Sequence, residues 1–95
     1  MLGEGLDPAV AFGRVPRRLR IEKGLTQEQL ALEADLQRNY VSLMERGRNQ
    51  PSLTTLFKLA KALDRKPSAM VELTHTELQV MASTPIRKRR ITLRG

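Results

Sequence analysis

Residues 26–47 read TQEQLALEADLQRNYVSLMERG, and this stretch decides the fold. Thr26 is a helix cap, and Gln29 three residues on completes a capping box by reaching back to it. The spacing predicts one helix over 27–34, a short turn, and a second helix from about Arg38 to Arg46 that Gly47 ends. Two short helices crossing steeply around a tight turn must share a buried seam. Leu30, Ala34, Leu36, Val41 and Met44 fall on that seam, and all five are apolar. Ala31 stands where the helices cross most closely and is small enough. Asp35 takes the turn position, where a left-handed residue is wanted. Asp tolerates that conformation better than most residues other than Gly.

Outward from this stretch the chain reads as further helices. Gly24 offers a left-handed stop to a first helix, with Leu25 folding back behind it. That helix begins at Asp7-Pro8, because Asp caps and Pro suits the first helical position, and its pattern runs to Lys23. Pro16 lies on its apolar stripe Phe12, Pro16, Leu19. It cannot donate to the Phe12 carbonyl, and its ring clashes there at a cost of roughly 3 kcal/mol if unrelieved. A kink near Gly13–Pro16, or a helix that starts there, is expected. Beyond the central stretch, Arg48-Asn49-Gln50-Pro51 is a polar loop. Ser52 caps a helix over 53–63 with Leu53, Leu56, Leu59, Ala60 and Leu63 on one face. Pro67 opens a short fifth helix to about Leu73. Thr74 and Glu77 form a second possible capping box, which predicts a short sixth helix to about Ala82. Pro85 then begins a basic C-terminal tail. The expected organisation is a flexible N-terminus over 1–6, one all-α domain over 7–73 with its motif at 27–46, and a C-terminal extension over 74–95.

With Val41 and Met44 buried, the helix over 38–46 turns Gln37, Arg38, Asn39, Ser42, Leu43 and Arg46 outward or sideways. Arg can fork onto guanine, Asn onto adenine, Ser bonds either way, and Leu packs on a thymine methyl. Gln37, Arg38, Asn39, Ser42 and Leu43 are therefore the candidate base contacts of a helix lying in a DNA major groove. Arg46, Arg48, Asn49 and Gln50 follow where phosphates would lie. Gln27 opens the preceding helix, whose free N–H groups favour an anion. Tyr40 is open between packing beside the seam and a hydroxyl on a phosphate. Base readers flanked by phosphate binders are what specific docking requires. Glu45 reads as structural, since a carboxylate facing phosphates is repelled. Arg14, Arg17 and Arg18 read as a solvated face, with phosphate contact as the alternative.

The segments GLTQEQLA (24–31), RNYVSLMERG (38–47) and NQPSL (49–53) resemble the Cro/repressor (Xre-type) helix-turn-helix family. Within it they are most similar to the controller proteins of restriction–modification systems. The likeness spans about residues 12–72, and Pro16 and Asp35 (for the usual turn Gly) depart from it. It implies a five-helix lambda-repressor-like DNA-binding domain and a homodimer formed through the helices after the motif. It also implies a two-fold operator on double-stranded DNA and a structural pair between Arg20 and Glu45.

The chain has 95 residues, 17 basic against 10 acidic, and a net charge of +7. Arg87, Lys88, Arg89, Arg90 and Arg94 crowd the last nine residues, so the remainder carries only 12 basic against 10 acidic groups. The charge alone therefore marks a basic tail, either solvated or gripping DNA. There is no Cys and one His (His75), so no metal site or cofactor is expected. An enzyme fares poorly, with no Cys, a single His, no Gly-rich phosphate loop and no concentrated acidic pair. An RNA binder would lack a stacking surface, with one Tyr and two Phe. No apolar run is long enough to cross a bilayer, and a cytoplasmic, soluble regulator is expected. The alternative is an antitoxin-like DNA-binding protein whose residues 74–95 hold a protein partner.

Overall fold

One pair of local devices starts and stops the helices. The computed structural model describes the backbone of residues 6–94 and the side chains of residues 6–83. The elements are α1 (Pro8–Glu22), α2 (Gln27–Ala34), α3 (Arg38–Glu45), α4 (Leu53–Ala62) and α5 (Pro67–Arg94). No strand occurs among the described residues. The loose end expected over 1–6 lies almost wholly outside them. Asp7 accepts from the Ala9 N–H at 2.9 Å, and Ser52 from the Thr55 N–H at 3.1 Å. Thr26 accepts from the Gln29 N–H at 3.0 Å while its own N–H donates to Gln29 Oε1 at 2.8 Å, a closed capping box. Each of the first four helices ends on one left-handed residue: Gly24, Asp35, Gly47 and Asp64. In every case that residue and the next donate back into the last turn, as Leu36 N–H does to the Ala31 carbonyl at 2.8 Å and Arg65 N–H to the Ala60 carbonyl at 2.9 Å. Gly47 is needed for space as well, because a Cβ there would meet the backbone and side chain of Val10 at 3.0 Å.

The seam of α2 and α3 is closed. Leu30, Ala31, Ala34, Val41 and Met44 are buried, and Leu36 is half-buried against the same cluster. Phe12, Val15 and Leu19 of α1, Leu56, Leu59 and Leu63 of α4 and its end, and Met70 of α5 complete the core. Full burial of each large aliphatic side chain contributes about 1.5–3 kcal/mol. Gly13 sets how near α1 comes to α3: a Cβ there would collide with the Met44 carbonyl oxygen. Two expectations are corrected. The first helix does not begin near Pro16; it is one continuous helix from Pro8 to Glu22 with Pro16 inside it, and Pro16 is buried among its largest enclosed side chains. The ring thus fills core volume, which offsets the backbone bond it removes. Leu53 does not join the buried face of α4. It is the first helical residue and stays exposed.

The start expected at Thr74 is not used, and no separate sixth helix forms among the described residues. The Thr74 hydroxyl donates back to the Met70 carbonyl at 2.8 Å, a bond made inside a continuing helix. Glu77 does not reach back to cap. It is buried on the face that α5 lays on α1, where Arg14 Nη1 donates to Glu77 Oε2 at 2.9 Å and Arg18 Nη2 to Oε1 at 3.0 Å. Arg14 and Arg18 are therefore not a free solvated face; half-exposed, they clamp α5 to α1. Pro85 and the tail cations lie where side chains are outside the described residues.

The clamp makes stability depend on acid. The Arg14 hydrogen bond holds the Glu77 carboxyl below its ordinary value, against the opposing effect of burial, and Arg18 adds to the lowering. The folded state thus binds fewer protons here than the unfolded chain. Its stabilisation is complete above the ordinary glutamate pKa of about 4.3 and is lost as pH falls through the lowered folded value. Urea unfolding at a series of pH values should show Glu77→Gln less stable than the parent at neutral pH, with the gap narrowing in acid. Parallel curves at every pH would exclude the clamp.

Candidate nucleic-acid interface

The outward helix is held by one buried carboxylate. Glu45 closes the last turn of α3, and its side chain is only 2% exposed. Arg20 of α1 meets it with two parallel bonds, Nε to Oε2 at 2.7 Å and Nη2 to Oε1 at 3.0 Å. This fork is the strong form of a charge-assisted pair. The third nitrogen of the guanidinium, Nη1, donates to the Leu25 carbonyl in the α1–α2 turn at 2.9 Å. Gln27, the first residue of α2, donates its amide to Glu45 Oε1 at 3.0 Å. One knot of four residues thus ties α1, the turn after it, the start of α2 and the end of α3. It leaves Glu45 satisfied and removes its negative charge from the surface.

The opposite end of α3 is open. Gln37 stands at its cap but makes no side-chain cap bond, so no side chain covers the first turn's N–H groups. Gln37, Arg38 and Asn39 are all exposed there, and Ser42 and Leu43 are half-buried one turn further along. All five candidate base readers thus keep some access to solvent. Arg46 and Arg48 are exposed at the other end, with Gln50 exposed and Asn49 half-buried in the loop. Arg46 Nε lies 3.4 Å from the Ser42 carbonyl, an exposed bond that a phosphate can replace. Two of the residues named as phosphate binders have inward roles. Gln27 spends one amide N–H on Glu45, and its second amide N–H and the backbone N–H groups at the start of α2 remain as its means of holding an anion. Tyr40 is half-buried and packs against the core cluster. The face as a whole is cationic: Arg38, Arg46 and Arg48 are exposed, and the neighbouring carboxylate is buried against Arg20.

A second surface is formed by α4 and the residues after it. Leu53 is 69% exposed and Phe57 56% on α4, and with Pro67 they line a shallow apolar groove rimmed by Lys58, Lys61 and Arg65. Val71 of α5 is also exposed. Met70, by contrast, is fully buried and Leu73 half-buried against the core. Among the described residues there is no cluster of His, Asp or Glu able to hold a metal. No helix among them is long and apolar enough to cross a membrane.

This arrangement has close counterparts. The helix-turn-helix family matches residues 17–69, more than half of the chain. Control protein C.BamHI of Bacillus amyloliquefaciens is 41% identical over 64 residues, covering 66% of this chain and 79% of its own. The crystal structure of the restriction–modification controller C.AhdI from Aeromonas hydrophila superposes with a TM-score of 0.64 at 47% identity, over 65% of this chain and 94% of that one. The controller C.Esp1396I, solved as a tetramer in complex with its natural 35 base-pair operator, superposes with a TM-score of 0.69 at 29% identity, over 76% of this chain and 95% of that one.

Proposed function

The chain belongs to the Xre-type helix-turn-helix family, and we propose that it is a sequence-specific transcriptional regulator that binds a two-fold operator as a dimer. The observation that carries this is the face of α3. A helix with an uncapped N-terminus presents Gln37, Arg38 and Asn39 outward while its far end is knotted to α1 and α2 through Glu45. Such a helix enters a major groove as a fixed object. Arg38 and Asn39 then read purine edges, Ser42 and Leu43 contact bases one turn further in, and Arg46, Arg48, Asn49 and Gln50 set the register on the phosphates.

The dimer rests on the second surface. Leu53 and Phe57 form an apolar patch that a small domain has no reason to leave wet, and it lies on elements that the base-reading face does not use. A two-fold pairing there would place the two recognition helices roughly 34–36 Å apart, on successive major grooves. The relative C.Esp1396I was solved as a tetramer on its natural 35 base-pair operator, which supports binding to DNA by more than one copy. Phe57→Glu should turn the protein into a monomer in sedimentation equilibrium while leaving its helical circular dichroism intact. A dimer that survives this charge would place the interface elsewhere.

The reading of bases is tested by selecting bound sites from random DNA and then comparing variants on the selected site. Arg38→Ala and Asn39→Ala should each weaken operator binding by roughly 1–3 kcal/mol and relax the choice at one base position. Binding to scrambled DNA should change far less. Equal losses on both DNAs would show that α3 is not the reader.

A further inference from the structure

We propose that the basic tail over 87–95 is a second, sequence-independent contact to the DNA backbone, carried by α5 beyond the domain that reads the operator. The inference rests on the DNA-binding reading above and adds a second point of attachment to it. Its first ground is charge. After Glu77 the chain has no acidic residue, and it ends with five cations: Arg87, Lys88, Arg89, Arg90 and Arg94. Nothing within that segment neutralises them, so they repel one another until a polyanion is near.

The second ground is attachment. No Gly-rich or acidic linker separates the tail from the domain; α5 carries it directly. The base of α5 is fastened at two points. Met70 is fully buried in the core, and Glu77 is gripped by Arg14 and Arg18 at 2.9 and 3.0 Å. The clamp also removes the last carboxylate of α5 from competition, because both of its oxygens are already bonded to arginines of α1. α5 runs 17 residues past Glu77 to Arg94, about 25 Å at 1.5 Å per residue. The tail therefore stays within about that distance of the domain, and such a tether raises the local concentration of a weak phosphate grip.

The third ground is what the tail lacks. Its apolar residues are Ile91 and Leu93, interleaved with the cations. That is too little apolar surface for the centre of a protein interface, whereas phosphate recognition needs only the charges. The tail also lies outside residues 17–69, the segment matched by the family, so the grip would be added to the shared domain and not part of it.

The test is a salt titration of affinity, using the full chain on an operator duplex with flanking base pairs and on a scrambled duplex of equal length. In one variant all five cations become Gln (R87Q, K88Q, R89Q, R90Q, R94Q). In a second, the four arginines become Lys, which keeps the charge. The Gln variant should lose affinity for both duplexes by the same factor, leaving the operator preference unchanged. Its log–log salt dependence should flatten by about 0.9 for each phosphate that the tail no longer neutralises. The Lys variant should keep the parent slope. An unchanged slope in the Gln variant, with operator preference intact, overturns the proposal; a tail reserved for a protein partner would give that result. A parent protein that shows no operator preference would instead sink the functional reading, while the slopes on scrambled DNA would still report on the tail.

Discussion

The exposed face of α3, proposed to meet DNA, depends on a single buried ion pair. Arg20 and Glu45 are 25 positions apart, and their fork joins the first helix to the last turn of the third. A carboxylate taken out of water is costly unless every acceptor site finds a donor, and removing one partner of such a pair typically costs about 3–5 kcal/mol. Here Glu45 receives two bonds from Arg20 and one from Gln27, and Arg20 spends its third nitrogen on the Leu25 carbonyl. The pair therefore acts as a fixture. It fixes where α3 ends relative to α1 and where α2 begins relative to both.

Gly13 is the complement of that fixture. The ion pair pulls α1 toward α3, and the missing Cβ lets the backbones meet at the Met44 carbonyl. Between them the two constraints set the distance and the rotation of α3 before any DNA is present. The left-handed stop at Asp35 sets the crossing with α2, supported by Lys58, which donates to the Asp35 carbonyl at 3.4 Å. The free end of α3, with Gln37, Arg38 and Asn39, is thus the consequence of packing decided at its buried end. The same economy of charge recurs on α5, where Glu77 is satisfied by two arginines of α1 and ties a second helix to it.

Local chemistry makes the motif legible in the sequence. The Thr26 box, the seam from Leu30 to Met44 and the stops at Gly24, Asp35 and Gly47 are each readable within a few residues, because caps and left-handed turns are local events. The stop at Asp64 follows the same rule as Asp35, but Leu63-Asp64 carries no Gly or Asn to announce it. The knot around Glu45 is reached through family resemblance, since the residues alone mark Glu45 as structural without saying what it meets. The clamp at Glu77 is not legible locally, and the cause is physical. Thr74 and Glu77 have the spacing of a capping box, but the partners that decide the matter, Arg14 and Arg18, lie 63 and 59 positions away. The usable signal is the row Met70, Leu73, Glu77: an acid continuing an apolar stripe, in a chain whose first helix carries several arginines. Pro16 misleads for a related reason, because its cost to the backbone is local and its benefit to the core is not.

The Arg20–Glu45 pair, acting as a unit, sets the helix that we propose reads DNA. A double-mutant cycle of Arg20→Met and Glu45→Leu, read in both unfolding free energy and operator affinity, tests this most directly. Each single substitution strands a charge, while the double replaces the pair with apolar groups of similar reach. The expected result is strong non-additivity, with the double variant recovering much of the stability that either single variant loses. Operator affinity should stay below that of the parent even in the double variant, since Gln27 and the α1–α2 turn then have no common anchor. Additive losses in stability, or parental operator affinity in the double variant, would contradict it.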